Sequence, residues 1–107
     1  MTCMDELTAF QRDLMVVLAK LDEPKGLDVK DDLEGYYADD IRHGRLYPNL
    51  DALVEKGLVN KGSHDRRTNK YTVSDDGQEF LQNRLHWELA DLPSEFVPGQ
   101  DEGIPAR

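Results

Sequence analysis

The stretch Gly44-Arg45-Leu46-Tyr47-Pro48-Asn49-Leu50-Asp51-Ala52-Leu53-Val54-Glu55-Lys56-Gly57-Leu58-Val59 decides how the rest of the chain folds. Leu46, Leu50, Leu53 and Val54 recur at helical spacing and predict a helix from about residue 42 to 56 with one apolar face. Gly57 stands where a helix end takes a left-handed residue, and Leu58 can fold back on Leu53. Beyond it the period switches from helical to alternating. Residues 58–62 are expected as one strand and residues 70–73 as its partner. Between them Ser63-His64-Asp65-Arg66-Arg67-Thr68-Asn69 is polar and turn-rich, so the pair is a hairpin with a basic tip. Pro48 cannot donate to the carbonyl of Gly44 four residues earlier. The expectation is a kink or an irregular first turn, with the missing side chain of Gly44 easing the crowding. The outward face at the helix start carries Arg42, His43, Arg45 and Asn49.

Upstream, Thr8 and Gln11 have capping-box spacing and open a first helix. Phe10, Leu14, Val17, Leu18 and Leu21 form its buried stripe, with Met15 and Val16 as a second apolar edge. Asp22-Glu23-Pro24-Lys25-Gly26 breaks the pattern. A second helix starts between Gly26 and Asp28, presents Val29, Leu33, Tyr36 and Tyr37, and ends near residues 38–40. Downstream, Ser74 caps a fourth helix whose first turn holds Asp75 and Asp76, favoured by the helix dipole. Its apolar residues fall on two stripes, Leu81, Leu85, Leu89 and Phe80, Trp87. One stripe suits the chain's own core. The surplus, with Met15 from the first helix, is expected to meet a second copy. The order helix, helix, helix, hairpin, helix describes an α+β, mostly helical winged helix-turn-helix with a C-terminal dimerisation helix. Residues 1–6 form an N-terminal extension, 7–90 the domain, and 91–107, rich in Pro, Gly and acids, a flexible tail.

The 107 residues suit one domain. No apolar run approaches the roughly 20 residues that span a bilayer. The acidic first residues lack the build of a signal peptide, so the cytoplasm, in association with the nucleoid, is the expected location. Cys3 is the one cysteine and reads as an inert terminal thiol before an intermolecular bridge. Net charge is −9, with 13 basic against 22 acidic residues. That charge repels nucleic acid. It fits either a protein that binds none or one from a high-salt cytoplasm, and Asp-rich acidity favours the second. Its distribution matters more than its total. Residues 42–70 hold seven basic against three acidic residues, net +4, and the remainder six against nineteen, net −13. The basic charge lies on the third helix and hairpin, where a DNA-facing surface needs it.

The Gly44-to-Val59 block, with Leu46-Tyr47-Pro48 at its centre and Gly57 at its end, resembles the recognition-helix signature of the PadR family of transcription regulators. Tyr71-Thr72-Val73-Ser74-Asp75-Asp76-Gly77 is similar to that family's passage from wing to last helix, and Gly26-Leu27-Asp28-Val29 to the start of its second helix. The resemblance spans residues 7–89. It departs at Arg42-His43-Gly44-Arg45, where the family has Ser-Pro-Gly-Thr, and at Arg66-Arg67-Thr68-Asn69 in the wing. The resemblance is to the family's short form, so a long additional helical domain is not expected.

The resemblance implies a transcriptional regulator, expected as a repressor, bound as a homodimer to a palindromic operator with half-sites about 34 Å apart. Arg45 is the expected base contact, because Arg pairs bidentately with guanine, and Asn49 suits adenine. Arg42, His43, Tyr47, Lys61, Arg66, Arg67 and Lys70 are assigned to phosphates or the minor groove. Tyr47 is expected half in the core. Lys61 and Lys70 also read as solvated strand residues. The dimer face is assigned to Phe80, Leu81, Leu85, Trp87, Leu89 and Met15. His43, His64 and His86 show no metal-ligand spacing, and no nucleophile, phosphate or dinucleotide motif is present. No enzyme, metal or cofactor is expected, and a small-molecule effector stays open. The competing reading is a winged helix that binds protein instead of DNA.

Overall fold

The computed structural model describes residues 4–99, which leaves Cys3 and the end of the tail outside the described residues. Helix α1 (Ala9–Lys20) begins as its sequence dictates. The Thr8 hydroxyl accepts from the Gln11 N–H, and the Gln11 side-chain oxygen accepts from the Thr8 N–H. Helix α2 (Gly26–Tyr37) has no hydroxyl cap. There the Asp28 carboxylate accepts from the Lys25 N–H at 2.9 Å. Ala38 ends α2 in the left-handed region, and its N–H bonds to the Glu34 carbonyl.

Helix α3 (His43–Glu55) is a single element that contains Pro48. Its C-terminus is a Schellman motif. The Leu58 N–H reaches the Leu53 carbonyl, the Gly57 N–H reaches that of Val54, and Gly57 takes φ +79°. The role expected for Gly44 is corrected. A Cβ there would meet no atom within 4 Å outside the helix's own backbone, so the glycine does not make room for the proline ring. Gly26 carries that burden elsewhere. A Cβ on it would strike the Tyr47 ring at 2.5 Å, so this glycine lets α2 and α3 close up.

Strands β1 (Val59–Ser63) and β2 (Asn69–Val73) pair antiparallel with Val59 opposite Val73 and Ser63 opposite Asn69. Each lies one residue from its expected limits. A third stub joins them. Lys25 bridges to Lys70, and the Tyr71 N–H donates to the Pro24 carbonyl at 2.9 Å. The wing is thereby tied to the α1–α2 loop. Helix α4 (Asp75–Leu89) starts at Ser74, whose hydroxyl accepts from the Gly77 N–H and donates to the Gly57 carbonyl. Single-turn 3-10 helices flank the domain at Met4–Glu6 and Ser94–Phe96. No described helix is long and apolar enough to cross a membrane.

Leu14, Leu33, Leu46, Leu50, Leu53 and Tyr71 sit at the centre of one core, closed by Ile41 before α3. Two expectations change here. Met15 has 0% exposure and leaves the assigned dimer face; Phe80 is buried in the same core and also lines a groove between α1 and α4. Tyr36, expected on the apolar side of α2, is 79% exposed. Tyr37 is half-buried, and its hydroxyl donates to Asp13 Oδ2 at 2.5 Å. Burial first, and that bond second, push the Tyr37 phenol up to about 12. The phenol therefore stays protonated and holds α2 to α1 through the physiological range.

Candidate nucleic-acid interface

The first turn of α3 and the tip of the wing both carry exposed cations, Arg42 and Arg45 on the first and Arg66 and Arg67 on the second. Arg42 stands at the N-cap of α3 in extended conformation and is exposed. His43 stands edge-on to Tyr47 with ring centroids 5.7 Å apart. Tyr47 is half-buried against Gly26. The Arg45 guanidinium lies over the Phe10 ring, 4.0 Å from its centroid. Such stacking attracts the cation to the ring face and leaves the in-plane N–H donors open.

Asn49 departs from expectation. Its Oδ1 accepts from Gln11 Nε2 at 2.9 Å, and its Nδ2 donates to the Arg45 carbonyl at 2.7 Å. Both ends of the amide are engaged inside the protein, and the residue is half-buried. Reading adenine uses the oxygen and the nitrogen together, so a base there would have to share or displace both bonds.

The wing divides in two. At its tip Arg66 and Arg67 are exposed, and neither guanidinium has an ion pair among the described residues. The tip is ordered by Asp65, whose carboxylate accepts the Arg67 N–H at 2.9 Å. That bond leads the causes that hold the Asp65 carboxyl below its ordinary range. On the strands, Lys61 pairs with Asp51 at 3.1 Å, and Lys70 pairs with Glu23. Hydrogen bonding to Asp51 raises the Lys61 ammonium, and hydrogen bonding to Lys70 lowers the Glu23 carboxyl. Exposed pairs of this kind are worth at most about 1 kcal/mol, so a phosphate can displace either carboxylate. Glu23 and Asp51 are nonetheless competitors for the wing lysines that no local pattern revealed. Glu23 lies 47 residues from its partner.

The free arginines are the stronger phosphate ligands on these grounds. Replacing both Arg66 and Arg67 with alanine is expected to weaken binding to every duplex alike. The slope of log K against log[KCl] should become shallower by about 0.9 for each phosphate that the variant no longer neutralises. Anisotropy titrations over a range of KCl concentrations give that slope directly.

Leu85, Trp87 and Leu89 of α4 are exposed, as are Leu92, Phe96 and Val16. Leu81 packs against the core edge. Between α1 and α4 runs a groove of about 360 Å³, walled by Val16, Ala19, Phe80, Leu81 and Leu85. Among the described residues no group of histidine, cysteine and carboxylates is arranged to hold a metal ion.

Comparison with known proteins agrees with this geometry. Residues 14–83 match the PadR-like family of transcriptional regulators. Among solved structures, RosR of Halobacterium salinarum, from crystals grown from NaBr, is 45% identical. It aligns over 90% of this chain and 83% of its own, with a TM-score of 0.76. RosR in a complex designated RosR-S1 is 44% identical over 91% of this chain and 82% of its own, with a TM-score of 0.78. A MarR structure, at 21% identity, covers 78% of this chain and 58% of its own, with a TM-score of 0.61, and shares the fold. No curated protein sequence matches the chain.

Proposed function

Because the chain belongs to the PadR-like family of transcriptional regulators, and so is a DNA-binding regulator and not an enzyme, we propose that it represses transcription as a homodimer on a two-fold symmetric operator. Each protomer places α3 in a major groove, with Arg45 on a base edge. Arg42, His43, Tyr47, Arg66 and Arg67 meet the flanking backbone, and Lys61 and Lys70 join them by exchanging their carboxylate partners for phosphates. The acidic remainder of the molecule fits a halophilic setting, in keeping with its similarity to RosR of Halobacterium salinarum. The regulator acts on the nucleoid.

The observation that carries the dimer is the exposed apolar surface of α4, where Leu85 and Leu89 share one stripe and Trp87 lies on the other. Leu85, Trp87 and Leu89 leave more apolar surface in water than a monomeric helix of this length needs. Burying each such side chain contributes about 1.5–3 kcal/mol. A two-fold contact uses the same patch on both copies, and the α1–α4 groove lies beside it. Within this proposal the groove is filled by the second copy and not by a small-molecule effector. Dimers set two α3 helices one DNA turn apart, which is why the operator is symmetric.

Light scattering and footprinting of the full chain test the proposal together. The wild-type mass is expected to be twice the 12.2 kDa of one chain, with two protected half-sites about 34 Å apart. Leu85→Asp is expected to give the single-chain mass, an intact melting transition and loss of the paired footprint. A monomeric wild type with a single protected site would overturn the dimer, and a transcript that falls on deletion of the regulator would overturn repression.

A further inference from the structure

A chain of contacts leads from the first turn of α1 to the base-reading end of α3. Gln11 is the one buried polar side chain among the described residues, 8% exposed. Its oxygen is used by the capping box, and its Nε2 donates to Asn49. Asn49 in turn donates to the backbone carbonyl of Arg45. One residue before Gln11, Phe10 presents its ring under the Arg45 guanidinium. Arg45 is therefore held twice from α1, by its side chain through Phe10 and by its backbone through Gln11 and Asn49.

The backbone hold has a reason in the sequence of α3. Pro48 supplies no N–H to the Gly44 carbonyl, so the turn that carries Arg45 lacks one bond of its helical ladder. The Asn49 side chain adds a bond to the adjoining carbonyl, and Gln11 fixes that side chain from outside the helix. The side-chain hold acts on entropy. A free arginine samples many rotamers and loses them on binding, whereas one already stacked has lost part of that freedom.

We propose that Phe10 and Gln11 are positioning residues for base recognition, which fix the direction in which Arg45 leaves α3. Both are buried, so they act through Arg45 and Asn49 without touching DNA. The proposal rests on the reading of Arg45 as the base contact. It also gives Asn49, whose amide is engaged at both ends, a part in specificity.

The test uses the full chain, an operator duplex recovered by selection from random sequence, and an unrelated duplex. Gln11→Glu keeps the capping box, because a carboxylate still accepts the Thr8 N–H. It cannot donate to Asn49. Phe10→Leu keeps apolar bulk without a π face, and Phe10→Tyr keeps the ring. Gln11→Glu and Phe10→Leu are each expected to lower the operator-to-unrelated affinity ratio about three- to tenfold, the size of one net hydrogen bond for the first and of one cation–π contact for the second. Their salt slopes should equal that of the wild type, and Phe10→Tyr should stay near it. In an Arg45→Ala background neither change should lower the ratio further.

An unchanged ratio in Gln11→Glu and Phe10→Leu, with the ratio lost in Arg45→Ala, overturns the proposal and leaves the reading of Arg45 standing. A ratio unchanged in Arg45→Ala overturns that reading itself. Losses that persist in the Arg45→Ala background mark a general loosening and also overturn the proposal. Should Phe10→Leu fail to fold by thermal melting, the Gln11→Glu and Phe10→Tyr arms decide.

Discussion

Replacing Arg45 with alanine is expected to lower affinity for the operator about tenfold to a hundredfold, the discrimination a bidentate arginine–guanine pair supplies. Affinity for unrelated DNA should change little. Arg45 stands in the first turn of α3, the part of a recognition helix that meets base edges. Its guanidinium is exposed and stacked on Phe10, and no described carboxylate pairs with it. Lys61 and Lys70, by contrast, must first give up Asp51 and Glu23. Arg45→Lys separates charge from shape, since an ammonium keeps the charge and loses the planar fork. It should leave binding to unrelated DNA near that of the wild type and should not restore the preference for the operator. Anisotropy titrations with both duplexes at one KCl concentration measure the pair of affinities. Equal losses on both duplexes would reassign Arg45 to a phosphate.

Replacing Gly77 with alanine is expected to lower the melting temperature by about 10–20 °C. A Cβ at Gly77 would lie 2.1 Å from the Leu58 carbonyl oxygen and 2.8 Å from Val73 Cγ1. The first of these is backbone, and it is not free to yield. The same Leu58 carbonyl accepts the Ser74 N–H at 3.0 Å, next to the Schellman bond from the Leu58 N–H to Leu53. Moving it disturbs the end of α3, the start of the wing and the cap of α4 together. Overpacking of this kind costs about 2–3 kcal/mol, and each kcal/mol shifts a domain of this size by about 4–8 °C. Gly35→Ala is the matched control. It lies inside α2, and a Cβ there meets nothing within 4 Å. It should raise stability by up to about 1 kcal/mol through helix propensity. Circular-dichroism melts in the same KCl buffer compare the two, and equal melting temperatures would remove the steric account of Gly77.

Features governed by neighbours close in sequence were legible without coordinates. The Thr8–Gln11 capping box, the Ser74 cap and the Gly57 terminus of α3 form as expected, because each needs only residues within about five positions. The stripes of α1 and α3 and the change of period at Leu58 likewise set the element order, and with it the winged helix. The concentration of cations between residues 42 and 70 was also visible by counting.

Tertiary structure decided what those residues touch. Gln11 reaches Asn49 across 38 positions, and Lys70 reaches Glu23 across 47, so no local window holds both partners. Those two contacts engage one expected base reader and partner one expected phosphate ligand. Met15 and Phe80 are as apolar as Leu85 and Trp87, yet the first two fill the core and the last two face solvent. Periodicity fixes the angle of a side chain about its own helix, and only the packing of α1, α3 and α4 on one another sets which angles point inward. Gly77 could be matched to a family pattern from the sequence, but its reason is the backbone of Leu58, nineteen positions away, which folding alone brings against it.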